Sequence, residues 1–367
     1  MTKHIGLAAL LVVVSIFSLG IGVAPSAAEP ASVIPQAAPN AAFVLGPPKG
    51  DGPVVVRASF EFHDIDEISE ENETFEFTGV LTLRWHDKRQ AFDPVEVGVS
   101  EKVYQGDYQF NELSPSWFPQ VVLINSSDTI EQQGVVLRVR PDGTQILMAK
   151  LTAVAKTEFN LRRYPFDKQR LEAVFEVLGF DEDEVVLEVD KQAPVSAGKL
   201  WVPQWNIAGI GMSTRHHAAS HAGGRDVESA LVASIDVERK SFYVSRLVII
   251  PLIVIVLLSF SVFWMDRASL GDRISVSFIG ILTAVAYQVV MNDILPRIAY
   301  PTWINGFLNA SFLLMVGTVI INLVVGGLDK HGRHDASHRV DLLCRWIFPL
   351  TYFGLIVVLF GVAFLLF

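Results

Sequence analysis

Apolar and polar residues alternate along the first part of the chain, up to about residue 240. From Phe75 to Trp85 every second residue is either large and apolar or glycine, and short apolar runs recur as far as Val237. Alternation of this kind is typical of β-strands that have one face in a core and the other in water. Many short strands with turn residues between them predict an all-β sandwich, here at residues 51–240.

One hairpin of this sandwich can be placed from its turn residues. The run Val135–Val139 leads into Pro141-Asp142-Gly143-Thr144, and a second apolar run, Ile146–Leu151, follows. Asp-Gly between two apolar runs is a strong hairpin signal, because both residues tolerate the backbone of a tight turn. Further short strands are predicted at Leu171–Phe175, 184–189 and Ala230–Val237.

After residue 240 the alternation stops and four long apolar runs follow. Each run approaches the roughly 20 apolar residues that an α-helix needs to cross a bilayer. The predicted membrane domain therefore covers residues 241–367, with helices at about 242–265, 273–295, 302–325 and 340–367. Basic residues lie in the first and third connections, which the positive-inside rule places in the cytoplasm: Arg267 and Arg273, then Lys330, Arg333 and Arg339.

The start of the chain predicts export from the cytoplasm. Lys3 and His4 precede a long apolar stretch that ends at Ser26-Ala27-Ala28, a small-residue cleavage site. This pattern is typical of a secretion signal at residues 1–28, and a flexible leader rich in Ala and Pro follows at residues 29–50. An uncleaved membrane anchor is the alternative. Four crossings after an exported sandwich would place the sandwich and the C-terminus on the periplasmic or extracellular side.

The composition separates the chain from ordinary soluble proteins and from purely membrane-embedded ones. Hydrophobic residues make up 51% and charged residues 19% of the chain, and the mean hydropathy is +0.39. The formal net charge of −10 argues against nucleic acid as a partner and favours a local excess of cations, although a plain acidic surface is the alternative. The single cysteine, Cys344, excludes an internal disulfide and cysteine-type zinc sites.

One face of the second apolar run carries a separate pattern. Its members step by four, three, four, three and four residues and so share one side of an α-helix: Ser275, Ile279, Leu282, Ala286, Val289 and Asp293, with Asp272 one turn earlier. The face is acidic at both ends and apolar in its middle. A cation pore uses charged rings at its mouths and an apolar constriction that closes by dewetting. A buried helix with ordinary interfacial acids is the alternative.

Several motifs occur in an order that narrows the function. The most specific is Tyr164-Pro165-Phe166-Asp167-Lys168-Gln169, and the others are Trp85-His86-Asp87, Trp117-Phe118-Pro119, Arg140-Pro141-Asp142-Gly143, Arg239-Lys240 with Pro251, and Ile294-Leu295-Pro296-Arg297. Together they resemble the pentameric ligand-gated ion channels, and within that family the prokaryotic members. In animal receptors of the family two cysteines close the signature loop, whereas Thr157 and Leu171 stand at the matching positions here.

This resemblance implies a homopentamer around one pore in the bacterial inner membrane, without a cofactor. It implies that permeant monovalent cations are selected by Asp272 at the cytoplasmic mouth and by Asp293 at the outer mouth. Ser275 would line a narrow polar point, and the four apolar residues of the same face would form the gate. For Asp272 a salt bridge with Arg273 or Arg267 is the alternative.

The resemblance also places a coupling interface between the sandwich and the membrane helices. Asp167, on the signature loop, and Arg239, just before the first helix, are the predicted ion pair, with Glu70 and Glu71 as further acidic partners. The segment that begins at Pro296 would pass the signal to the pore helix. A charge pair with two arrangements suits a two-state switch, and a static bridge is the alternative.

The ligand site is expected between subunits, at residues that depart from the aromatic cage of the family. The candidates are Glu176, Leu178, Phe180, Arg138, Arg140, Arg215, His216 and His217, the last three on a loop predicted at 213–228. Histidine titrates near neutral pH and binds metals, so the agonist stays open between a small molecule, a proton and a divalent ion. No metal ligand set is assigned, and a solvated, flexible loop is the alternative.

Two other classes of function are weighed against a channel. An enzyme is not expected, because the chain has no Gly-x-Ser-x-Gly, His-Glu-x-x-His or phosphate-loop motif. A non-conducting, membrane-anchored periplasmic sensor is the second alternative. The predicted cytoplasmic connections are too short to hold a signalling domain, which argues against it.

Overall fold

The computed structural model describes residues 46–50, 52–106, 117–193, 200–218, 227–266, 269–292 and 295–365. The predicted secretion signal and most of the predicted leader lie outside these residues, so both stay predictions. In chain order the described part is a β-sandwich followed by four long helices.

Ten strands in the described residues form the two sheets of the sandwich. They are β1 (Val54–Ser69), β2 (Thr74–His86), β3 (Lys102–Gly106), β4 (Val121–Leu123), β5 (Glu131–Val139), β6 (Thr144–Lys156), β7 (Lys168–Val177), β8 (Val185–Val189), β9 (Trp205–Ala218) and β10 (Val227–Arg239). The larger sheet has the order β3-β5-β6-β2-β1-β8 and the smaller one β4-β7-β10-β9. Neighbouring strands are antiparallel except for β1 and β8, which run parallel.

The alternation along β2 decides which of its residues enter the core. Phe75, Phe77 and Trp85 are buried, as the pattern predicts. The Phe77 ring packs edge-on against Phe60 of β1, with 5.5 Å between ring centroids. A Cβ atom at Gly79 would lie 2.4 Å from the Phe60 ring, so this position on the buried face admits only glycine.

The hairpin predicted from Asp-Gly joins β5 and β6. The Asp142 carboxylate accepts hydrogen bonds from the Thr144 backbone N–H and from its hydroxyl, each at 2.9 Å. Gly143 has a φ of +86°, and a Cβ atom there would lie 2.5 Å from the carbonyl oxygen of Asp87. The turn therefore requires the side chain of Asp142 for these hydrogen bonds and the absence of a side chain at Gly143.

The four long helices are each long and apolar enough to cross a membrane. They are α1 (Phe242–Trp264), α2 (Leu270–Met291), α3 (Trp303–Lys330) and α4 (His334–Leu365). The predicted limits, about 273–295, 302–325 and 340–367, differ from these ends by a few residues, and Arg339 lies within α4 rather than in the connection before it. Hydropathy locates the stretch inside the hydrocarbon, whereas a helix continues into water for as long as its backbone hydrogen bonds propagate.

Pro251 disturbs the middle of α1 and thereby ties this helix to α2. Proline has no N–H, so the Leu247 carbonyl four residues earlier receives no hydrogen bond from position 251. The segment Ser245–Ile249 forms a π-helical turn at this point. The Tyr287 hydroxyl of α2 donates to the Leu247 carbonyl at 2.6 Å and lies 3.1 Å from that of Val248. Tyr287 therefore packs against α1.

The loop predicted at 213–228 is shorter than expected. Strand β9, which the sequence did not predict, runs to Ala218 and pairs with β10 from Val227 onwards. Arg215 and His216 therefore lie on a strand, because ladder hydrogen bonds to β10 hold this polar segment extended. Residues 219–226, which connect the two strands, lie outside the described part of the chain.

Candidate functional site

Helix α2 has one face that no described element covers. Ile279, Leu282 and Val289 are 63%, 70% and 63% exposed, and Asp272, Ser275 and Ala286 on the same face are exposed as well. The opposite face is buried against the other helices, at Ser277, Ala284 and Met291. The stripe predicted from the sequence therefore lies on the uncovered side of the helix. Asp293 lies outside the described residues.

Two charged neighbours at the start of α2 point to different sides. Asp272 is exposed, whereas Arg273 is fully buried, and its Nη2 donates to Oδ1 of Asp341 on α4 at 2.5 Å. The expectation that Arg273 lies in a cytoplasmic connection is wrong, because this ion pair holds it among the helices. Arg273 is also not the partner of Asp272, which removes half of the salt-bridge alternative. Arg267, the other basic residue considered as a partner of Asp272, lies outside the described residues.

Arg239, at the end of β10, lies between two carboxylates and two aromatic rings. Its Nε and Nη2 donate to the two carboxylate oxygens of Asp167 at 2.8 and 3.2 Å, and its Nη1 donates to Glu70 at 2.7 Å. The guanidinium carbon lies 4.1 Å from the ring centroid of Trp205 and 4.7 Å from that of Tyr164. Bidentate pairing together with stacking suits the planar guanidinium and not the lysine ammonium.

Burial and neighbouring charges together set the pKa values of two side chains in this cluster. Burial alone lowers the pKa of Arg239, but the hydrogen bond and charge of Asp167, with a contribution from Glu70, raise that pKa above its usual value. Burial raises the pKa of the Tyr164 hydroxyl to about 12; the charge of Arg239 opposes this rise, and those of Glu70 and Asp167 add to it. Arg239 therefore stays charged and Tyr164 stays neutral at physiological pH.

The signature loop is joined by hydrogen bonds to the segment that connects α2 with α3. The Leu161 N–H donates to the Tyr300 hydroxyl oxygen at 3.0 Å, and that hydroxyl donates to the Phe159 carbonyl at 3.1 Å. At the start of α3 the Trp303 N–H donates to the Arg162 carbonyl at 2.8 Å. One loop thus holds both the segment that follows α2 and the start of α3.

Aromatic packing extends the same contact to the last helix. The Phe166 ring lies 5.5 Å from Trp303 on α3 and 5.2 Å from Phe360 on α4, measured between ring centroids. Phe166 directly precedes Asp167, the partner of Arg239. The loop that carries Asp167 therefore packs against both α3 and α4.

Two predicted interface residues lie beside this cluster and not in it. Glu71 is exposed in the turn between β1 and β2, and its neighbour Glu70 provides the contact to Arg239. Pro296 is half-buried in the segment that leads from α2 to Tyr300. Of the predicted set, the structure therefore brings together Asp167, Arg239 and Glu70.

Two buried carboxyl groups lie side by side on the smaller sheet. Glu176, near the end of β7, and Glu228, near the start of β10, are 3% and 5% exposed. Glu176 is in register with Ala230, so Glu228 is its diagonal neighbour on the same face. Burial, then the hydrogen bond and the charge of Glu228, raise the pKa of Glu176 to about 8. The pair therefore holds a proton at neutral pH.

The other residues of the candidate ligand region are held by local contacts. The His216 ring Nδ1 contacts the Glu182 carboxylate, and Arg215 donates to Glu172 at 2.7 Å. Within the described residues no group of three or more His, Cys, Asp or Glu side chains is arranged to hold a metal ion. The side chain of His217 lies outside the described set.

Leu178 and Phe180 follow β7 and differ in exposure. Leu178 is 42% exposed, whereas the Phe180 ring packs edge-on against Trp117 at 6.0 Å between ring centroids. Leu178 is thus exposed to a partner, whereas Phe180 packs the segment after β7 against Trp117.

Arg138 and Arg140 belong to the larger sheet and do not join this group within one chain. Arg138 of β5 donates to Glu101 at 3.1 Å, and Arg140 is exposed at the turn between β5 and β6. No described contact links either residue to Glu176. If the two arginines face a ligand near Glu176, they must come from a second copy of the chain.

Sequence reasoning did not single out Glu228, Trp205 or Asp341 as site residues. Asp341 carries a signal that was overlooked, since an acid at the start of a predicted membrane helix implies a basic partner. Glu228 and Trp205 carry no such signal, because their partners are set by the register of β10 against β7 and β9.

Two family models match the chain. The model described as "Neurotransmitter-gated ion-channel ligand binding domain" matches residues 44–241, more than half of the 367 residues. The model described as "Neurotransmitter-gated ion-channel transmembrane region" matches residues 248–339. The first covers the sandwich, and the second runs from within α1 to the first residues of α4.

The chain is also similar to curated proteins from bacteria and animals. It is 25% identical over 306 residues to "Proton-gated ion channel" of Gloeobacter violaceus, which covers 83% of this chain and 82% of that one. It is 24% identical over 309 residues to "Gamma-aminobutyric acid receptor subunit beta-4" of Gallus gallus, with 81% of this chain and 61% of the relative covered. For "Gamma-aminobutyric acid receptor subunit rho-3" of Homo sapiens the identity is 23% over 325 residues, with 84% and 68% covered.

Proposed function

The chain belongs to the neurotransmitter-gated ion channels, a family of pentameric ligand-gated channels with prokaryotic members, and from that premise we propose that five copies form a cation-selective channel. Membership makes it a ligand-gated ion channel and not an enzyme, with a soluble N-terminal ligand-binding domain and four transmembrane helices. The number and identity of the subunits, the ion preference and the gating residues are the parts proposed here.

The uncovered face of α2 is the observation that carries this proposal. One helix cannot enclose a conduit, and lipid would cover a purely apolar face; because this face also carries Asp272 and Ser275 at its start, we place copies of it around a shared axis. In a ring of five, the Leu282 side chains would meet as an apolar constriction, and the Asp272 carboxylates would form a negative ring at one mouth. Carboxylates attract cations and repel anions, which supports cation selectivity.

Orientation in the membrane follows from the charges and the predicted export signal. We place the β-sandwich and the C-terminus on the periplasmic side of the bacterial inner membrane. The connection between α3 and α4, residues 331–333 with Lys330 and Arg339 close by, would then face the cytoplasm, in line with the positive-inside rule.

We further propose that protons are an activating signal and that the Glu176–Glu228 pair binds one of them. The relative in Gloeobacter violaceus is named as a proton-gated ion channel, and the buried pair lies in the region where the sequence placed the ligand. A glutamate pKa of about 8 lies above the ordinary value of 4.5. The folded protein therefore holds a proton between these two pH values that the unfolded chain has released, and stability falls as pH rises through this window.

Deprotonation of the pair would change the geometry of the ligand region. Above a pH of about 8 two buried like charges lie side by side, and their repulsion separates the end of β7 from the start of β10. Below that pH the shared proton holds the strands together. We assign the protonated form to the open channel, because the named relative responds to protons.

We expect sodium flux through the purified channel in liposomes to rise as the pH falls through about 8, the pKa of Glu176. In the Glu176→Gln variant this rise should be absent, since an amide keeps a hydrogen bond to Glu228 but cannot ionise. Glu131→Gln, at an exposed glutamate at the start of β5, serves as the matched control and should behave like the wild type.

An unchanged midpoint in Glu176→Gln would remove this carboxyl group from the proton response. A sodium flux that exceeds chloride flux in the same liposomes would support the channel itself. If neither ion crosses at any pH or with any amine added, a non-conducting periplasmic sensor becomes the better account.

A further inference from the structure

A buried ion pair joins the pore helix to the last helix, and the proposed ion path does not contain it. Arg273 on α2 has no exposed surface, and Asp341 on α4 is 3% exposed. Their contact is single, because Nε and Nη1 of Arg273 find no hydrogen-bond partner among the described residues. Charged side chains are rare inside membrane-spanning segments, and those that occur mark function more often than stability.

The pore helix itself disfavours a cation at this point. Helix α2 begins at Leu270, so Arg273 lies in its first turn, where the aligned peptide dipoles are positive and favour anions. Asp272 has the sign that the helix end prefers, and Arg273 does not. The carboxylate of Asp341 offsets both the dipole and the loss of hydration of Arg273.

The pair fixes the rotation of α2 about its own axis. Consecutive helical residues are about 100° apart, so an Arg273 side chain held towards α4 directs Asp272 towards the uncovered face of α2. A second link lies one turn further along: Asn322 of α3 donates to the Ser277 hydroxyl at 3.0 Å. That hydroxyl in turn donates to the Arg273 carbonyl at 3.0 Å. The buried side of the helix start is thus held by α3 and α4 together.

We propose that Asp341 is a positioning residue of the inner mouth: it holds Arg273 and so sets the rotation at which the Asp272 carboxylate faces the ions. The inference rests on the proposed function, in which Asp272 forms the cytoplasmic ring. It assigns to α4, whose Leu350 and Val357 are 68% and 69% exposed, a share in ion selection although it contributes no residue to the uncovered face of α2.

The test is the ratio of sodium to chloride permeability, taken from the reversal potential of assembled channels. In Asp341→Asn the Arg273 charge loses its partner, and we expect the start of α2 to turn about its axis. The Asp272 carboxylates would then interact less with the permeating ion, so the permeability ratio should fall roughly threefold or more. Asp335→Asn is the matched control, since it is the same change on the same helix at an exposed position. Its ratio should equal that of the wild type.

A merely structural role for the pair predicts a different outcome. Asp341→Asn would then reduce the amount of assembled channel, while each surviving channel would keep the wild-type permeability ratio. Size-exclusion chromatography measures the amount, and the reversal potential measures the ratio. An unchanged ratio therefore overturns the proposal.

A double variant keeps the test decisive if Asp341→Asn fails to assemble. Arg273→Met with Asp341→Leu replaces both buried charges by apolar groups of similar size, an exchange that proteins tolerate far better than the loss of one partner. We expect this variant to assemble with a reduced ratio, and a wild-type ratio would overturn the proposal. If the wild-type channel shows no cation preference, the proposed function is overturned together with this inference. If the sodium-to-chloride permeability ratio depends on Asp272 but not on Asp341, only this inference is overturned.

Discussion

Leu282→Ser should give a channel that conducts without any stimulus. Leu282 is the most exposed apolar residue of the uncovered face of α2, at 70%, and it lies halfway between the polar positions at the two ends. In the proposed ring, five leucines would expel water from the constriction, whereas five serines would offer hydroxyl groups that water can bind. A shift of about 1.4 kcal/mol in the equilibrium between closed and open forms changes the open population tenfold. We expect the resting current to rise at least to that extent.

The measurement is the resting current of the variant relative to its maximal stimulated current. Leu313→Ser is the matched control, because Leu313 is 67% exposed on α3 and lies outside the predicted pore face. It should leave the resting current at the wild-type level. A silent Leu282→Ser channel, or a Leu313→Ser channel that leaks equally, would place the gate elsewhere.

Asp167→Asn should uncouple the stimulus from the pore. Asp167 is 2% exposed and accepts two of the three hydrogen bonds that Arg239 donates to carboxylates. Asparagine has almost the same shape but leaves the Arg239 charge without its main counter-charge, and removal of one partner of a buried pair costs about 3–5 kcal/mol. If the ion pair is arranged differently in the closed and open forms, part of that cost raises the free energy of one form relative to the other. We expect the stimulated current to fall by roughly tenfold or more, the factor that about 1.4 kcal/mol produces.

A graded series separates coupling from stability. Glu70→Gln removes the second carboxylate, whose side chain is 23% exposed, so water replaces part of its interaction and the loss of current should be smaller. Asp236→Asn, at a carboxylate of β10 that is 52% exposed, should change nothing. A static bridge predicts instead that Asp167→Asn lowers the melting temperature of the pentamer and leaves its activation curve in place.

The sequence was sufficient for features that depend on local periodicity. The side chains of β2 are buried as their alternation predicts, and the members of the α2 stripe share one side of the helix because spacing alone decides this. Asp167 and Arg239 were paired before the structure was known through the family resemblance, which places the signature loop and the basic pair before the first helix at one interface.

Contacts that depend on packing could not be predicted in the same way. Arg273 and Asp341 are 68 positions apart, and nothing in the local pattern of either shows that α2 and α4 present these residues to each other. The register of β10 against β7 likewise brings Glu228 beside Glu176, although the sequence suggested a loop there. In both cases tertiary packing selects one partner among several charged candidates.

The reversal potential in a sodium chloride gradient tests the central claim most directly, because it reports on the ions that pass the uncovered face of α2. Across a tenfold gradient a perfectly selective monovalent channel reverses about 59 mV from zero. The account predicts that the wild type reverses close to the sodium value and that Asp272→Asn moves the potential towards zero. A wild-type current that reverses near the chloride value, or an Asp272→Asn channel with an unchanged potential, would contradict it.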